Sequence, residues 1–456
     1  MFADNPTDIV AGNQHWGHAT SKDLYHWVNQ PIALFPDKKG DGIFSGSAVI
    51  DVNNTSGFFP NQADGVVAIY TLNTVQEQTQ EIAYSKDGGY SFTKYDGNPV
   101  ISINSTQFRD PKVIWYAPTS RWVMVIAYSQ EYTIGVYTSP NLKDWTHASN
   151  FSHYGLLGLQ YECPNLVSIP MQGTTEQFYL LSISINPGAP LGGSITQYFP
   201  GHFNGTHFTP VDGAARLTDF GKDNYAGQFF FGTPDNQPPI GIAWASNWEY
   251  SQSVPTGQLE DWRSAMSLPR AYELTNATRR PYQLISKPYD LTPLYTSQLA
   301  SSSSLANGTV LIDYSHIPSG ALYFRATISH IPFINTTGTA NFTFTSSTTG
   351  ESLRGGFFLG GDALFWLDRS GIRGFAENPF FTDKFSTSNP IEASGEWAVE
   401  GVVDRSVLEV FLDGGVQSAT VVCFPEGRLD GMGWVTGGLN DGVEVGLEVW
   451  GLESGW

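Results

Sequence analysis

One short unit recurs in the first third of the chain and limits the fold more than any other feature. It reads His18-Ala-Thr-Ser-Lys-Asp-Leu-Tyr-His-Trp27, then Ala83-Tyr-Ser-Lys-Asp-Gly-Gly-Tyr-Ser-Phe92, then Val136-Tyr-Thr-Ser-Pro-Asn-Leu-Lys-Asp-Trp145. Each copy gives a strand, a Ser-X-Asp/Asn turn whose side chains cap backbone groups, and an aromatic that folds back onto the sheet. The starts lie roughly 53 to 65 residues apart, long for a four-stranded propeller blade but reachable with loops. Extended to about residue 285, the spacing gives about five blades. Elsewhere, short β-branched and aromatic runs alternate with Gly, Pro, Asn and Asp clusters, and helical periodicity is almost absent. The expectation is an all-β protein, with residues 1–285 forming a β-propeller.

Between Ala271 and Ala300 the pattern loosens into Thr275-Asn-Ala-Thr-Arg-Arg-Pro281 and Lys287-Pro-Tyr-Asp-Leu-Thr-Pro293, a proline spacing that reads as an extended connector. We place a linker at 286–300. A serine run from Ser301 to Ser304 opens the second region, 301–456, where Ala321–Ile328, Ala340–Thr345 and Ser406–Leu412 have the look of β-sandwich strands. Asp404, Arg405 and Glu409 there read as ion-pairing groups at the contact between the two domains.

The net charge of -20 disfavours nucleic acid and anionic membrane surfaces, and no apolar run approaches a spanning helix. With charged residues at only 14% and aromatics also at 14%, the balance favours a neutral ligand. Two cysteines, Cys163 and Cys423, fall in different predicted domains and give neither a disulfide framework nor zinc-ligand spacing. No phosphate-binding glycine loop or histidine-rich ligand set occurs, so neither metal nor other cofactor is expected. Nine Asn-X-Ser/Thr sequons, at Asn53, Asn54, Asn104, Asn150, Asn204, Asn276, Asn307, Asn335 and Asn341, point to a glycosylated, extracellular protein. Met1 to Pro6 has neither the basic start nor the apolar stretch of a signal peptide, so the written N-terminus is expected not to be the natural one.

Two carboxylate motifs carry the chemistry. In Tyr161-Glu162-Cys163-Pro164, a glutamate sits in an otherwise apolar, glycine-rich run that disfavours its charged form, as an acid catalyst requires. In Phe108-Arg109-Asp110-Pro111, an arginine precedes an aspartate and a proline fixes the backbone after it. The plainer alternatives are a strand-end glutamate bonded to backbone and a salt-bridged turn. These two blocks, with Trp16-Gly17-His18-Ala19 and Phe44-Ser45-Gly46-Ser47, resemble glycoside hydrolase family 32, the invertases, inulinases and fructosyltransferases. All four blocks fall in family order, and the likeness to the fungal and yeast extracellular invertases runs to the last residues.

The resemblance implies a five-bladed propeller, here with the opening strand or strands of its first blade missing, followed by a C-terminal β-sandwich. It implies β-fructoside cleavage by retaining double displacement, which uses two carboxyl groups about 5 Å apart. By resemblance Glu162 is the acid/base, and Asp110 binds fructose hydroxyls and stabilises the transition state, with the Arg109 charge expected to keep Asp110 ionised. Phe44 and Ser45 match the wall of the fructose site, Asp219 and Lys222 of Asp219-Phe-Gly-Lys222 match pocket-lining residues, and Trp16, Asn5 and Trp248 complete the expected substrate contacts. For Trp248, and for Trp262 in a later block, core packing is an equal alternative to sugar stacking.

The chain departs from the family at its start. The Trp-Met-Asn-Asp-Pro-Asn-Gly block that carries the nucleophile in other members is absent, and neither Asp4 nor Asp8 inherits the role. A truncated enzyme and a non-catalytic fructoside-binding protein are both open at this point. So are an exo-inulinase or fructosyltransferase specificity and assembly as a homodimer. Loss of a nucleophile removes several powers of ten in rate, so the 456-residue chain is expected to release little or no glucose from sucrose. An assay showing appreciable release would overturn this.

Overall fold

The computed structural model describes residues 2–234, 237–277, 280–305 and 307–455. Outside them lie Met1, Arg279 of the expected connector, and Thr278, which closes the Asn276 sequon. Five antiparallel sheets follow one another along the chain. The first holds Phe2–Asp4, His15–Ser21 and Trp27–Leu34; the second runs in order from Gly42–Ile50 through Val66–Asn73 and Gln78–Ser85 to Thr93–Lys94. The third opens with Phe108–Tyr116, the fourth with Tyr161–Pro170 and the fifth with Tyr225–Phe229.

The recurring turn explains the regularity. In three sheets it joins the last two strands, and each time Asp23, Asp87 or Asn141 accepts backbone N–H bonds from the residues after it. Trp27 and Trp145 each fold back to donate from Nε1 to a backbone carbonyl, those of Leu24 and Leu142, at 2.9 Å. Because the turn always precedes the outermost strand, the three strands of the first sheet occupy the second to fourth places of a blade. The first blade is therefore the incomplete one.

Hydrophobic cores lie between consecutive sheets. Val67, Ile69 and Ile82 of the second blade meet Val113, Met124 and Ile126 of the third. Val123, Val125 and Ile134 on the other face of that third blade meet Leu181, Ile183 and Phe199 of the fourth. A sheet buried on both faces reads as near-continuous apolar sequence, as Arg121–Tyr128 does in Trp-Val-Met-Val-Ile-Ala.

The connector region differs from expectation. Arg270–Ala277 and Arg280–Pro288 are paired strands that complete the fifth blade, and the next strand, Tyr295–Leu305, already contains the serine run. The link between the domains is thus 289–294, shorter than 286–300. Prolines 281 and 288 lie at the ends of a strand where a missing N–H is tolerated, so they do not mark loose chain.

Two six-stranded antiparallel sheets form the C-terminal sandwich. Its core is aromatic, with Phe357 and Trp397 stacked at 4.0 Å and Phe324 against Phe342 at 5.0 Å. At the edge of one sheet, Gln417–Val422 lies against segment 219–223 of the propeller. Phe220 N donates to Ser418 O at 2.9 Å, and the carboxylates of Asp219 and Asp223 accept from Thr420 N at 2.8 Å and Val422 N at 2.9 Å. The propeller loop covers a strand edge that would otherwise present unpaired backbone groups.

Charge reinforces this contact. Arg270 of the propeller is 1% exposed and reaches Glu409 of the sandwich at 2.5 Å and Asp219 at 3.3 Å. Arg369 of the sandwich reaches Asp223 at 2.9 Å. Glu409 is therefore an interdomain ion-pair residue, and Arg405 forms a third such contact with Glu260 at 2.5 Å. Replacing Arg270 with Leu strands two buried carboxylates, which costs about 3–5 kcal/mol. Urea unfolding followed by tryptophan fluorescence should show it as a lowered midpoint, and a change below about 1 kcal/mol would contradict the account.

Candidate active site

The site is built by one repeated irregularity. Near the start of the innermost strand of blades two to five, the pairing register slips: at Ser45, at Asp110-Pro111, at Cys163-Pro164 and at Ala226-Gly227. Such a β-bulge bends the strand and re-aims the side chains around it. Asp110, Cys163 and Ala226 each take a left-handed backbone, with φ of 66°, 46° and 51°. For non-glycine residues this is costly and is held only by surrounding structure.

The residues just before three of these bulges meet. Arg109 donates from Nη2 to Glu162 Oε1 at 3.1 Å and from Nε at 3.3 Å, while the Tyr225 hydroxyl donates to Glu162 Oε2. Glu162 is thus held from both sides by neighbouring blades. The same guanidinium bonds Gln107 at 2.9 Å, Gln160 at 3.0 Å and Gln78 at 3.3 Å. With its donors engaged by four residues, Arg109 is fixed in place.

The bulge residues themselves form the second contact. Cys163 N donates to Asp110 Oδ2 at 2.9 Å, and its thiol lies 3.5 Å from the same oxygen. Thr71 Oγ1 accepts from Asp110 N at 3.1 Å, and Ser47 Oγ donates to Pro111 O and accepts from Val113 N, both at 3.0 Å. Ser47 of the Phe-Ser-Gly-Ser block is therefore the brace of the next blade's bulge. Asn165 does the same for the fifth blade, with Nδ2 donating to Gly227 O at 2.8 Å.

Arg109 turns to Glu162, and its charge still favours an ionised Asp110 against the effect of burial. Burial pushes the Asp110 carboxyl up to about 6, with the Arg109 charge opposing and the Glu162 charge adding to the rise. The bulge separates the two side chains, which therefore do not form the pair that adjacent sequence positions imply.

Of the other expected contacts, Phe44 is half-buried and Ser45 exposed at the second blade's bulge. Trp16 donates from Nε1 to Phe44 O at 3.0 Å and packs edge-on to Tyr70, so it braces that wall from behind. Trp248 is 38% exposed and connects to the site through Trp244, whose ring lies 5.0 Å from it and 6.1 Å from Tyr225. Asn5 is occupied locally, donating to Val10 O at 2.7 Å and accepting from Thr7 N at 3.1 Å.

Asp219 and Lys222 are placed elsewhere. Asp219 joins the interdomain contact, and Lys222 reaches Glu249 at 2.6 Å, Phe380 O at 2.7 Å and Thr382 at 3.1 Å, the last two in the sandwich. Pocket lining and a solvated turn are the alternatives for this motif in sequence, and both side chains instead meet the adjacent sandwich. Tyr225, Gln78, Gln107 and Gln160 escaped the reading. For Tyr225 a signal existed: Tyr-Ala-Gly repeats the Arg-Asp-Pro and Glu-Cys-Pro pattern of a residue, a bulge and a backbone-breaking residue.

Residues 1–288 match the model for the N-terminal domain of glycosyl hydrolases family 32, and residues 291–451 match the one for its C-terminal domain. The chain belongs to glycoside hydrolase family 32. It is 43% identical over 436 residues to an extracellular exo-inulinase of Meyerozyma guilliermondii, covering 93% of this chain and 84% of that protein. To invertase 2 of Saccharomyces cerevisiae it is 42% identical over 474 residues, covering 96% and 87%. Among solved structures, a β-fructofuranosidase from Schwanniomyces occidentalis complexed with fructosyl-erythritol superposes with a TM-score of 0.91 at 35% identity, over 99% of this chain and 91% of that one. Exo-inulinase from Aspergillus awamori gives 0.88 at 30%, over 99% and 92%.

The Asp110 environment has a measurable consequence. Its folded carboxyl takes a proton more readily than the ordinary 3.8, so its contribution to stability is complete below about pH 4 and lost as pH rises through about 6. Asp110→Asn should flatten that fall, seen as a smaller loss of denaturation midpoint between pH 4 and 6.5 than in the unaltered chain. An unchanged slope would show that Asp110 is not the titrating group.

Proposed function

We propose that the meeting point of blades three, four and five binds the fructosyl unit of a β-fructoside, with Glu162 as acid/base and Asp110 as the group that binds sugar hydroxyls and stabilises the transition state. The observation that carries this is the three-blade convergence on Glu162, which fixes a carboxyl group between a guanidinium and a phenol. Rigid placement of this kind is what a proton-transferring carboxyl needs. Asp110 has one oxygen held by Cys163 N and, among the described residues, Oδ1 without a hydrogen-bond partner. That leaves an acceptor for a hydroxyl.

The protein is a glycoside hydrolase of β-fructofuranosidase type, and its relatives include both invertases and exo-inulinases. Within that class we take sucrose as the substrate, by retaining double displacement. We assign to Trp248, half-exposed at the end of the Tyr225, Trp244, Trp248 series, the contact with the leaving group. Fructose binding by this site does not depend on a second carboxylate, and turnover does. The nine sequons, together with a relative named as extracellular, support a secreted protein, and we retain a homodimer as the assembly to test.

Two variants separate the roles. Calorimetric titration with fructose should show Asp110→Asn weakening binding about 10- to 100-fold, the worth of a hydrogen bond to a charged group. Glu162→Gln should leave fructose affinity within a few-fold, and in a chain carrying the family's nucleophile block it should lower sucrose turnover by about 10²- to 10⁴-fold. Fructose binding indifferent to Asp110→Asn would sink the assignment. Rates on inulin and sucrose measured side by side decide between exo-inulinase and invertase specificity.

A further inference from the structure

The sandwich sheet that runs Gly308–Asp313, Gly431–Gly437, Thr339–Thr345, Ser352–Phe358, Leu364–Gly371 and Lys384–Ser388 has one face in the core and one open. On the open face a single cross-strand row reads Val435, Asn341, Gly356, Trp366, Ser386. Asn341 heads the sequon Asn341-Phe342-Thr343. It stands in an interior strand of the sheet, half-buried, and among the described residues its side-chain amide has no hydrogen-bond partner.

The glycine beside it leaves the space that the amide occupies. A Cβ on Gly356 would lie 2.0 Å from Asn341 Oδ1, so the amide lies across Gly356 in the direction of Trp366, the next residue of the row. Trp366 is itself half-buried and borders an open hollow of about 360 Å³ with Asp368, Lys384 and Ser386. An aromatic face with polar groups around it suits a sugar ring. Nearby Phe358, Leu364 and Val435 are 48%, 44% and 41% exposed, an apolar surface that a soluble protein usually covers.

We infer that Asn341 is glycosylated and that its N-linked sugar is seated in this row, over Gly356 and against Trp366. In the attachment, Asn341 Nδ2 loses a proton and bonds to the anomeric carbon of the sugar. The bond from that carbon to a lipid-diphosphate leaving group breaks at the same time. The inference rests on the proposal that the chain is secreted. It goes further, in distinguishing this sequon from those at turns. At Asn204, for example, the side-chain oxygen accepts from Thr206 N at 3.0 Å and His207 N at 2.8 Å, and the residue is exposed.

Peptide mapping of the full chain secreted from a yeast host gives occupancy at each sequon, and timed digestion of the folded protein with an amide-cleaving glycosidase gives release rates. Asn341 should carry sugar and lose it several-fold more slowly than Asn204. Trp366→Ala should bring the two rates together, and Trp366→Tyr, which keeps a ring, should not. Asn341 found bare while other sequons are occupied, or released as fast as Asn204 in the unaltered protein, overturns the inference and leaves the secretion reading intact. A protein with no sugar at any sequon overturns both.

Discussion

Four inner strands slip register near their starts, and the active site depends on that slip. A regular β-strand sends successive side chains to opposite faces, where in this propeller they enter the cores between blades. An extra residue breaks the alternation and frees one side chain per blade from packing. Arg109, Glu162 and Tyr225 are those side chains in three consecutive blades, so a guanidinium, a carboxylate and a phenol come together although about 50 to 60 residues separate each from the next. The left-handed backbone at Asp110, Cys163 and Ala226 is the strain that accompanies it. Neighbouring blades offset that strain through Ser47, Thr71 and Asn165, each of which bonds the backbone of a bulge or of the residue beside it.

The sandwich is tied to the same site through a very short stretch of chain. Asp219 and Asp223 accept backbone N–H groups from the sandwich's edge strand and pair with Arg270 and Arg369, all four groups essentially buried. Two residues later comes Tyr225, which donates to Glu162. A buried ion pair adds little net stability, because desolvation opposes the attraction, but breaking one is expensive. Its effect here is to fix position: the strand that supplies Tyr225 cannot shift without uncoupling the two domains.

The fold was largely legible in the sequence. The Ser-X-Asp turn works through local hydrogen bonds, so it carries its meaning wherever it occurs, and three copies were enough to set the blade period. Glu162 and Arg109 were legible for a similar reason, since a charged residue before a Pro-terminated bulge is conspicuous among apolar neighbours. Tyr225 was legible only as a third copy of that residue-and-bulge pattern, because tyrosine before Ala-Gly is in itself ordinary strand composition. The strands Arg270–Ala277 and Arg280–Pro288 were read as connector for the opposite reason, their prolines and charges resembling loop chemistry while the hairpin pairing that satisfies them is invisible locally.

Sequence by itself determined the β class, the repeat, the two carboxylate motifs and the family, all properties of residues close together in the chain. Only the tertiary structure decided which charges meet. Arg109 stands next to Asp110 yet bonds Glu162, and Asp219 and Lys222 stand in a motif that suggests a pocket yet lock the domains together. Electrostatic and hydrogen-bond energies depend on separation and on exclusion of water, and both are set by which blades and edges pack side by side.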